Sequence, residues 1–295
     1  LKNAWTLTKI RMLLAVRNRA FIFFSLIFPL AILFFYLGAF GRSNAEAVPY
    51  LLASVLALTI MGSFWGLSVQ LVTFREQGIL RRFRVAPVGA GAMLASSILS
   101  NYFMTLPTII LEFSIARGVF DLRSWGNITG ILLLVTLGTV TFAALGLIVA
   151  SVTNTMQETQ IINQILWWGF LGLSGATLPL PRLPGWLQTL AVFQPATYLV
   201  TGLERVMVGH VSVLAIAPEL LSLALSAAIA FVISQQLFRW EPGATVPRSA
   251  KLWAASAVIP FLLLGVWEST HGQLRADARQ DYRSMEQPAL INPSR

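Results

Sequence analysis

The sequence predicts an all-α integral membrane protein: a six-helix bundle with outer re-entrant half-helices and a candidate short seventh span. Three observations predict it. Of the 295 residues, 56% are hydrophobic and only 11% charged, whereas a soluble domain carries about 25% charged residues; that is too little charge to clothe a water-facing surface, which excludes a soluble enzyme. Uncharged apolar runs recur at about the twenty-residue length a helix needs to cross roughly 30 Å of hydrocarbon. The net charge of +9 falls largely between those runs, as basic loops beside anionic headgroups should. Membrane lipid, not nucleic acid, is therefore the partner this basicity implies. With no cysteine, disulfides, thiolate metal sites and a cysteine nucleophile are excluded.

The first run is Ala20 to Phe40, preceded by a basic segment, residues 1–19, that reads as interfacial through Trp5, Ile10, Met12 and Leu13. It exceeds a signal-peptide core of about 7–15 residues, so cleavage is not expected. The second run is Val48 to Phe74, and the third, about Val88 to Ile115, holds one acid, Glu112. Asn127 to Val152 is the fourth. The fifth, Ile161 to Leu178, opens on Asn163 and Gln164 and ends against Pro179. Leu220 to Phe238 is the sixth. Leu252 to Trp267 is short and contains Pro260; it reads as a seventh span within an extension covering 241–295.

Lys and Arg resist translocation. With the N-terminus inside, twelve basic residues fall inside and five outside, and four tail arginines follow the fate of the seventh segment. That charge bias mildly favours a tail that does not span, whereas the apolar run favours a span. Either way the N-terminus is cytoplasmic, in a multi-pass plasma (inner) membrane protein.

The segment from Arg75 to Pro87 carries the most information. At 100° per residue, Glu76, Ile79, Leu80 and Phe83 share one stripe, which predicts a short amphipathic helix stopped before Pro87. A positive-inside loop lying on lipid would account for its arginines. It would not account for the acid among apolar residues or for Gly78, both of which suit docking into a protein groove. The stretch REQGILRRFRVAPVG resembles the type-2 ABC transporter permeases, which carry a pattern close to Arg-Glu-x-Gly-Thr-Leu-Glu-x-Leu-x-x-x-Pro after the second span. Arg75, Glu76, Leu80 and Pro87 match; Ile79 replaces Thr, Phe83 replaces Leu, and Arg81 stands where many members have Glu. The resemblance covers about residues 1–240 and implies a six-span permease domain (20–240) whose coupling helix, comprising Arg75, Glu76, Gly78, Ile79, Leu80, Phe83 and Pro87, docks an ATPase subunit. The sequence contains no Gly-x-x-x-x-Gly-Lys-Ser/Thr phosphate loop. ATP and Mg would then be bound by the partner, with no cofactor on this chain and no enzyme activity of its own. A second permease subunit, identical or not, is also implied.

Between Leu178 and Glu219, prolines 179, 181, 184 and 195 forbid one continuous helix. Trp186, Leu187, Leu190 and Phe193 are spaced as one short helix face and Tyr198 to Val208 as another. Half-helices dipping into the outer leaflet fit, since irregular backbone at that depth must be covered by protein or line a cavity. The resemblance agrees, through Leu183-Pro184-Gly185-Trp186 and Gln194-Pro195, and marks Pro184, Trp186, Pro195 and Tyr198 as the outer re-entrant region.

Candidate pathway residues are Asn163, Gln164, Trp167, Trp168 and Glu112. Glu112 either snorkels outward toward Arg117 or meets a cation or substrate; Glu204 reads as the local partner of Arg205. Two histidines, His210 and His271, make no metal constellation, and no hydrolytic set can be assembled. The resemblance implies ATP-driven export, and an apolar and aromatic lining would suit an amphipathic, lipid-like, drug or glycan substrate. The alternatives are a membrane anchor that recruits a soluble partner and an ion-coupled carrier.

Overall fold

The computed structural model describes residues 2–17, 19–41, 47–80, 89–240, 259–271 and 279, and all regular elements among them are helical. Phe83 and Pro87 of the expected coupling helix lie outside these residues, as does the first part of the seventh run.

Helix α1 (Lys2–Arg17) lies along the start of α4, and a helical run over 19–41, α2, follows it. Then come α3 (Val48–Glu76), α4 (Ala90–Val119), α5 (Ile128–Val152) and α6 (Met156–Leu173). Two short helices, α7 (Gly185–Ala191) and α8 (Pro195–Met207), precede α9 (Ala217–Leu237), and α10 (Ile259–His271) lies beyond. Five segments are long and apolar enough to cross a membrane: α2, α3, α4, α5 and the run Val213–Leu237 that contains α9. The fifth expected span, Ile161 to Leu178, is α6, which is not among these five. It begins five residues before the predicted Ile161, because Thr155 caps it by accepting from the Glu158 amide at 3.2 Å, and it ends at Ser174 ahead of Gly175, whose φ is +97°.

The bundle has two ends. The basal end carries the junctions α3–α4 and α5–α6 together with the last residues of α9; the distal end carries those of α2–α3 and α4–α5, with the start of α9. At the centre, α5 is packed between α3 and α9. Small residues permit this closeness. A side chain at Gly146 would meet the Phe64 backbone of α3, and Thr141 Oγ1 donates to the Leu223 carbonyl of α9 at 2.8 Å. The resulting core joins Phe64, Phe142 and Phe170 edge to face.

Helix α2 changes to π-helical geometry over Phe23–Ile27 for a local reason. Pro29 has no N–H to donate to the Ser25 carbonyl four residues back. Thr108 Oγ1 of α4 donates to that carbonyl instead, at 2.7 Å, so the break in α2 becomes a tie between two helices.

The prolines between α6 and α9 produce the expected half-helices. Leu199 of α8 packs on Gly138 and Ile60; Gly138 is ten residues inside the distal end of α5, about 15 Å deep. The hairpin α7–α8 therefore re-enters the bundle. It satisfies its own backbone: Tyr198 Oη donates to the Val192 carbonyl at 2.9 Å, Thr197 Oγ1 to that of Ala191 at 2.6 Å, and Gln188 Nε2 to that of Leu183 at 2.8 Å. Its far end is moored to α5, where the Asn127 amide donates to the Val206 carbonyl at 2.9 Å.

Candidate functional site

At the basal end, the Arg75-Glu76 pair closes α3 and reaches two other helices at once. An α-helix leaves its last carbonyls and first amides without intrahelical partners, with partial negative and positive charge respectively. Both kinds of terminus meet here, across the link 153–155 that joins α5 to α6. The Arg75 guanidinium, 1% exposed, donates to the carbonyls of Ala150 at 2.7 Å and Thr153 at 2.6 Å. Glu76 Oε1 accepts from the Met156 amide at 2.8 Å. A cation thus serves the end of α5 and an anion the beginning of α6.

Arg239, just past α9, joins the same elbow through Thr153 O at 2.6 Å and Asn154 Oδ1 at 3.0 Å. Burial pulls its guanidinium below the usual arginine range, and Glu158 partly offsets this. Glu158 in turn accepts from the Asn154 amide at 2.7 Å, and Thr159 Oγ1 donates to Thr153 Oγ1 at 2.8 Å. Four elements, α3, α5, α6 and the end of α9, are therefore fastened by one polar network.

The expected single helix from Arg75 onward does not form. Helix α3 ends at Glu76, and Gly78, with φ +68°, turns the chain in the left-handed conformation glycine tolerates. Glu76 is consequently off the stripe of Ile79 and Leu80. Leu80 is fully buried in the apolar cluster that includes Leu71, Val72, Met93 and Leu94, pinning the turn to the bundle, while Ile79 is half-buried. Arg11 of α1 supports the same corner from below: it lies over the Phe74 ring at 5.4 Å and donates to Met93 Sδ at 3.5 Å. Burial lowers its pKa to about 10, so it stays charged at neutral pH.

The five candidate pathway residues are not gathered into one cavity. Asn163 is buried and donates to Ser68 Oγ at 2.7 Å. Glu112, also buried, accepts from Thr59 Oγ1 at 2.6 Å. Thr59 and Ser68 are nine residues apart on α3, hence about 180° apart around it, so the two polar groups flank opposite sides of that helix. Glu112 does not reach outward to Arg117, whose guanidinium donates to the Leu122 carbonyl. Trp167 is half-buried, edge to face with Trp65 at 6.2 Å. Gln164 and Trp168 are exposed on one stripe of α6 with Gln157, Ile161 and Ile165.

In the distal hairpin, Pro184 precedes α7 and Pro195 opens α8, where its missing N–H costs nothing. Pro195 and Tyr198 are buried, whereas Trp186 is 66% exposed. Arg205 pairs with Glu219 of α9 at 2.6 Å rather than with its neighbour Glu204. Sequence reasoning missed Thr153, Asn154, Glu158 and Arg239; of these only the Thr155-x-x-Glu158 cap leaves a recognisable motif.

The model of the ABC-2 type transporter family matches residues 2–208. The chain is similar to the probable doxorubicin resistance ABC transporter permease protein DrrC of Mycobacterium tuberculosis, with 27% identity over 52% of this chain and 56% of that protein. It is similar to the daunorubicin resistance ABC transporter permease protein DrrB1 of Streptomyces coeruleorubidus, at 28% identity over 62% of the chain and 66% of the relative. Similarity to the linearmycin resistance permease protein LnrN of Bacillus subtilis is 22%, over 51% and 39%. The match thus spans little more than half of the Mycobacterium protein's length.

Proposed function

The chain belongs to the ABC-2 type transporter family, and from that premise we propose that it is the membrane permease subunit of an exporter driven by ATP hydrolysed on a separate subunit. The basal elbow carries this reading. A partner pressing on the turn at Gln77 and Gly78 acts directly on Arg75 and Glu76, and through them on the end of α5 and the start of α6. One displacement thereby becomes a concerted movement of two helices, as rigid-body switching requires. Twelve basic residues against five, or against nine when the four tail arginines lie outside, favour the basal end as the cytoplasmic side, where ATP is available, of a plasma (inner) membrane protein.

Helix α6 carries the consequence toward the substrate. Gln157, Gln164 and Trp168 lie on its exposed face, and exposed amides are costly in lipid. This face fits a second permease subunit packed around a shared pathway. ATP and Mg2+ belong to the partner, since this sequence has no phosphate loop. The aromatic and apolar surroundings, together with relatives named for resistance to doxorubicin, daunorubicin and linearmycin, favour an amphipathic or lipid-like drug over a glycan.

Everted vesicles holding the chain and its co-purified ATPase should take up daunorubicin, followed by fluorescence quenching, only when ATP is added. Gly78→Pro should abolish that uptake, because proline cannot adopt φ +68°, and Glu76→Lys should reduce it at least tenfold by placing a cation at the positive end of α6. Undiminished uptake by both variants would contradict the coupling role. Uptake without any ATPase would indicate an ion-coupled carrier, and an ATPase-free soluble partner with no transport would indicate an anchor.

A further inference from the structure

Helix α10 lies beyond the residues that the family model matches, and its position fixes the path of the chain. Helix α9 runs from the distal end, where Glu219 meets Arg205, to the basal end, where Arg239 enters the elbow. Beyond it, α10 packs against α9 and touches α7 of the distal hairpin. Gly265 lies under the Phe193 ring so closely that an added Cβ would fall 2.2 Å from it. Glu268 is buried within electrostatic reach of Tyr198, and Arg279 Nη2 donates to Gln188 Oε1 at 3.5 Å. Gly265, Glu268 and Arg279 thus all face the re-entrant hairpin, which enters from the distal end, whereas Arg239 lies at the basal end.

Arg279 follows Trp240 by 39 positions, more than the roughly 20 that a helix needs to cross about 30 Å of hydrocarbon. The surface of α10 agrees with lipid. Ile259, Leu262, Leu263, Val266 and Trp267 form one exposed stripe, a large apolar face in water but an ordinary one in a bilayer, while Gly265 and Glu268 are buried on the other side.

We propose that the chain crosses the membrane a seventh time between Arg239 and Arg279, and that α10 straps the re-entrant hairpin through the fit of Phe193 onto Gly265. The crossing stands independently of the transport reading. The strap's effect on export rests on that reading: opening the distal side requires Phe193 to leave Gly265.

Because the chain has no cysteine, single substitutions report topology directly. In intact cells, a membrane-impermeant maleimide should label Ser284→Cys as fast as Arg123→Cys in the distal loop, and leave Gln77→Cys unlabelled until the cells are permeabilised. Protection of Ser284→Cys alongside Gln77→Cys would overturn the crossing. For the strap, amide hydrogen exchange over 185–194 should quicken at least tenfold in Gly265→Leu, which overfills the contact, and in Phe193→Ala, which empties it. Unchanged exchange in both variants would overturn the strap while leaving the crossing in place. Faster exchange without any change in ATP-driven daunorubicin uptake would confine the strap to stability and refute its part in export.

Discussion

Replacing Arg75 with methionine is expected to destabilise the protein by about 3–5 kcal/mol, the scale of a buried charge-assisted pair of hydrogen bonds. The guanidinium is inaccessible, and its two nitrogens serve carbonyls at the end of α5, 2.7 and 2.6 Å away. Methionine fills a similar volume but donates nothing, so the Ala150 carbonyl loses the donor that replaces its missing helical partner. The Thr153 carbonyl keeps Arg239, which sets the upper bound. Arg75→Lys should recover only part of the loss, since an ammonium lacks the planar fork that serves two acceptors. The measurement is the thermal midpoint in detergent, followed by size-exclusion fluorescence, with exposed Arg17→Met as the neutral control. Arg75→Met melting with Arg17→Met would show that the elbow does not hold the basal end together.

The second large effect is expected at Gly146. An alanine there would place its Cβ 2.3 Å from the Phe64 carbonyl oxygen and 3.2 Å from its Cα. These are backbone atoms, so no rotamer change relieves the overlap, and α3 and α5 must move apart along their extended contact. Overpacking a core costs about 1–3 kcal/mol and occasionally more. The upper end applies here, because separation also loosens Phe64, Phe142 and Phe170, whose rings meet at 5.6 and 5.4 Å. Gly66→Ala is the matched comparison: nothing lies within 4 Å of its would-be Cβ, and helix propensity favours alanine. Gly146→Ala should lower the midpoint by several degrees and Gly66→Ala should leave it level or raise it slightly. Equal midpoints would contradict the close approach of α3 and α5.

The membrane spans were legible because apolar run length is a strong signal, and prolines 179 to 195 announced the broken hairpin. Boundaries followed local chemistry that hydropathy ignores. Helix α6 starts on Met156, Gln157 and Glu158 because Thr155 caps it, not where the apolar run begins. Side-chain pairing failed wherever sequence neighbours were taken for spatial ones. Glu112 and Arg117 are five apart and Glu204 and Arg205 adjacent, and neither spacing brings side chains together on a helix; their partners, Thr59 and Glu219, are distant in sequence. The Arg75-Glu76 motif was visible, but what it grips was not. Its partners are backbone groups at helix ends, which carry no signature in residue identity, and Arg239 read as one more topogenic charge.

The proposed export depends on an ATPase subunit pressing on the basal turn after α3. A photo-activated benzophenone amino acid at Gln77, exposed at the tip of that turn, tests it most directly when the protein is irradiated in the cell membrane and the adducts are identified by mass spectrometry. One dominant adduct is expected, with a protein that carries a Gly-x-x-x-x-Gly-Lys-Ser/Thr phosphate loop, and no such adduct from the same probe at Arg123 in the distal loop. Adducts from Gln77 only with lipid, or an ATPase captured from Arg123 instead, would contradict it.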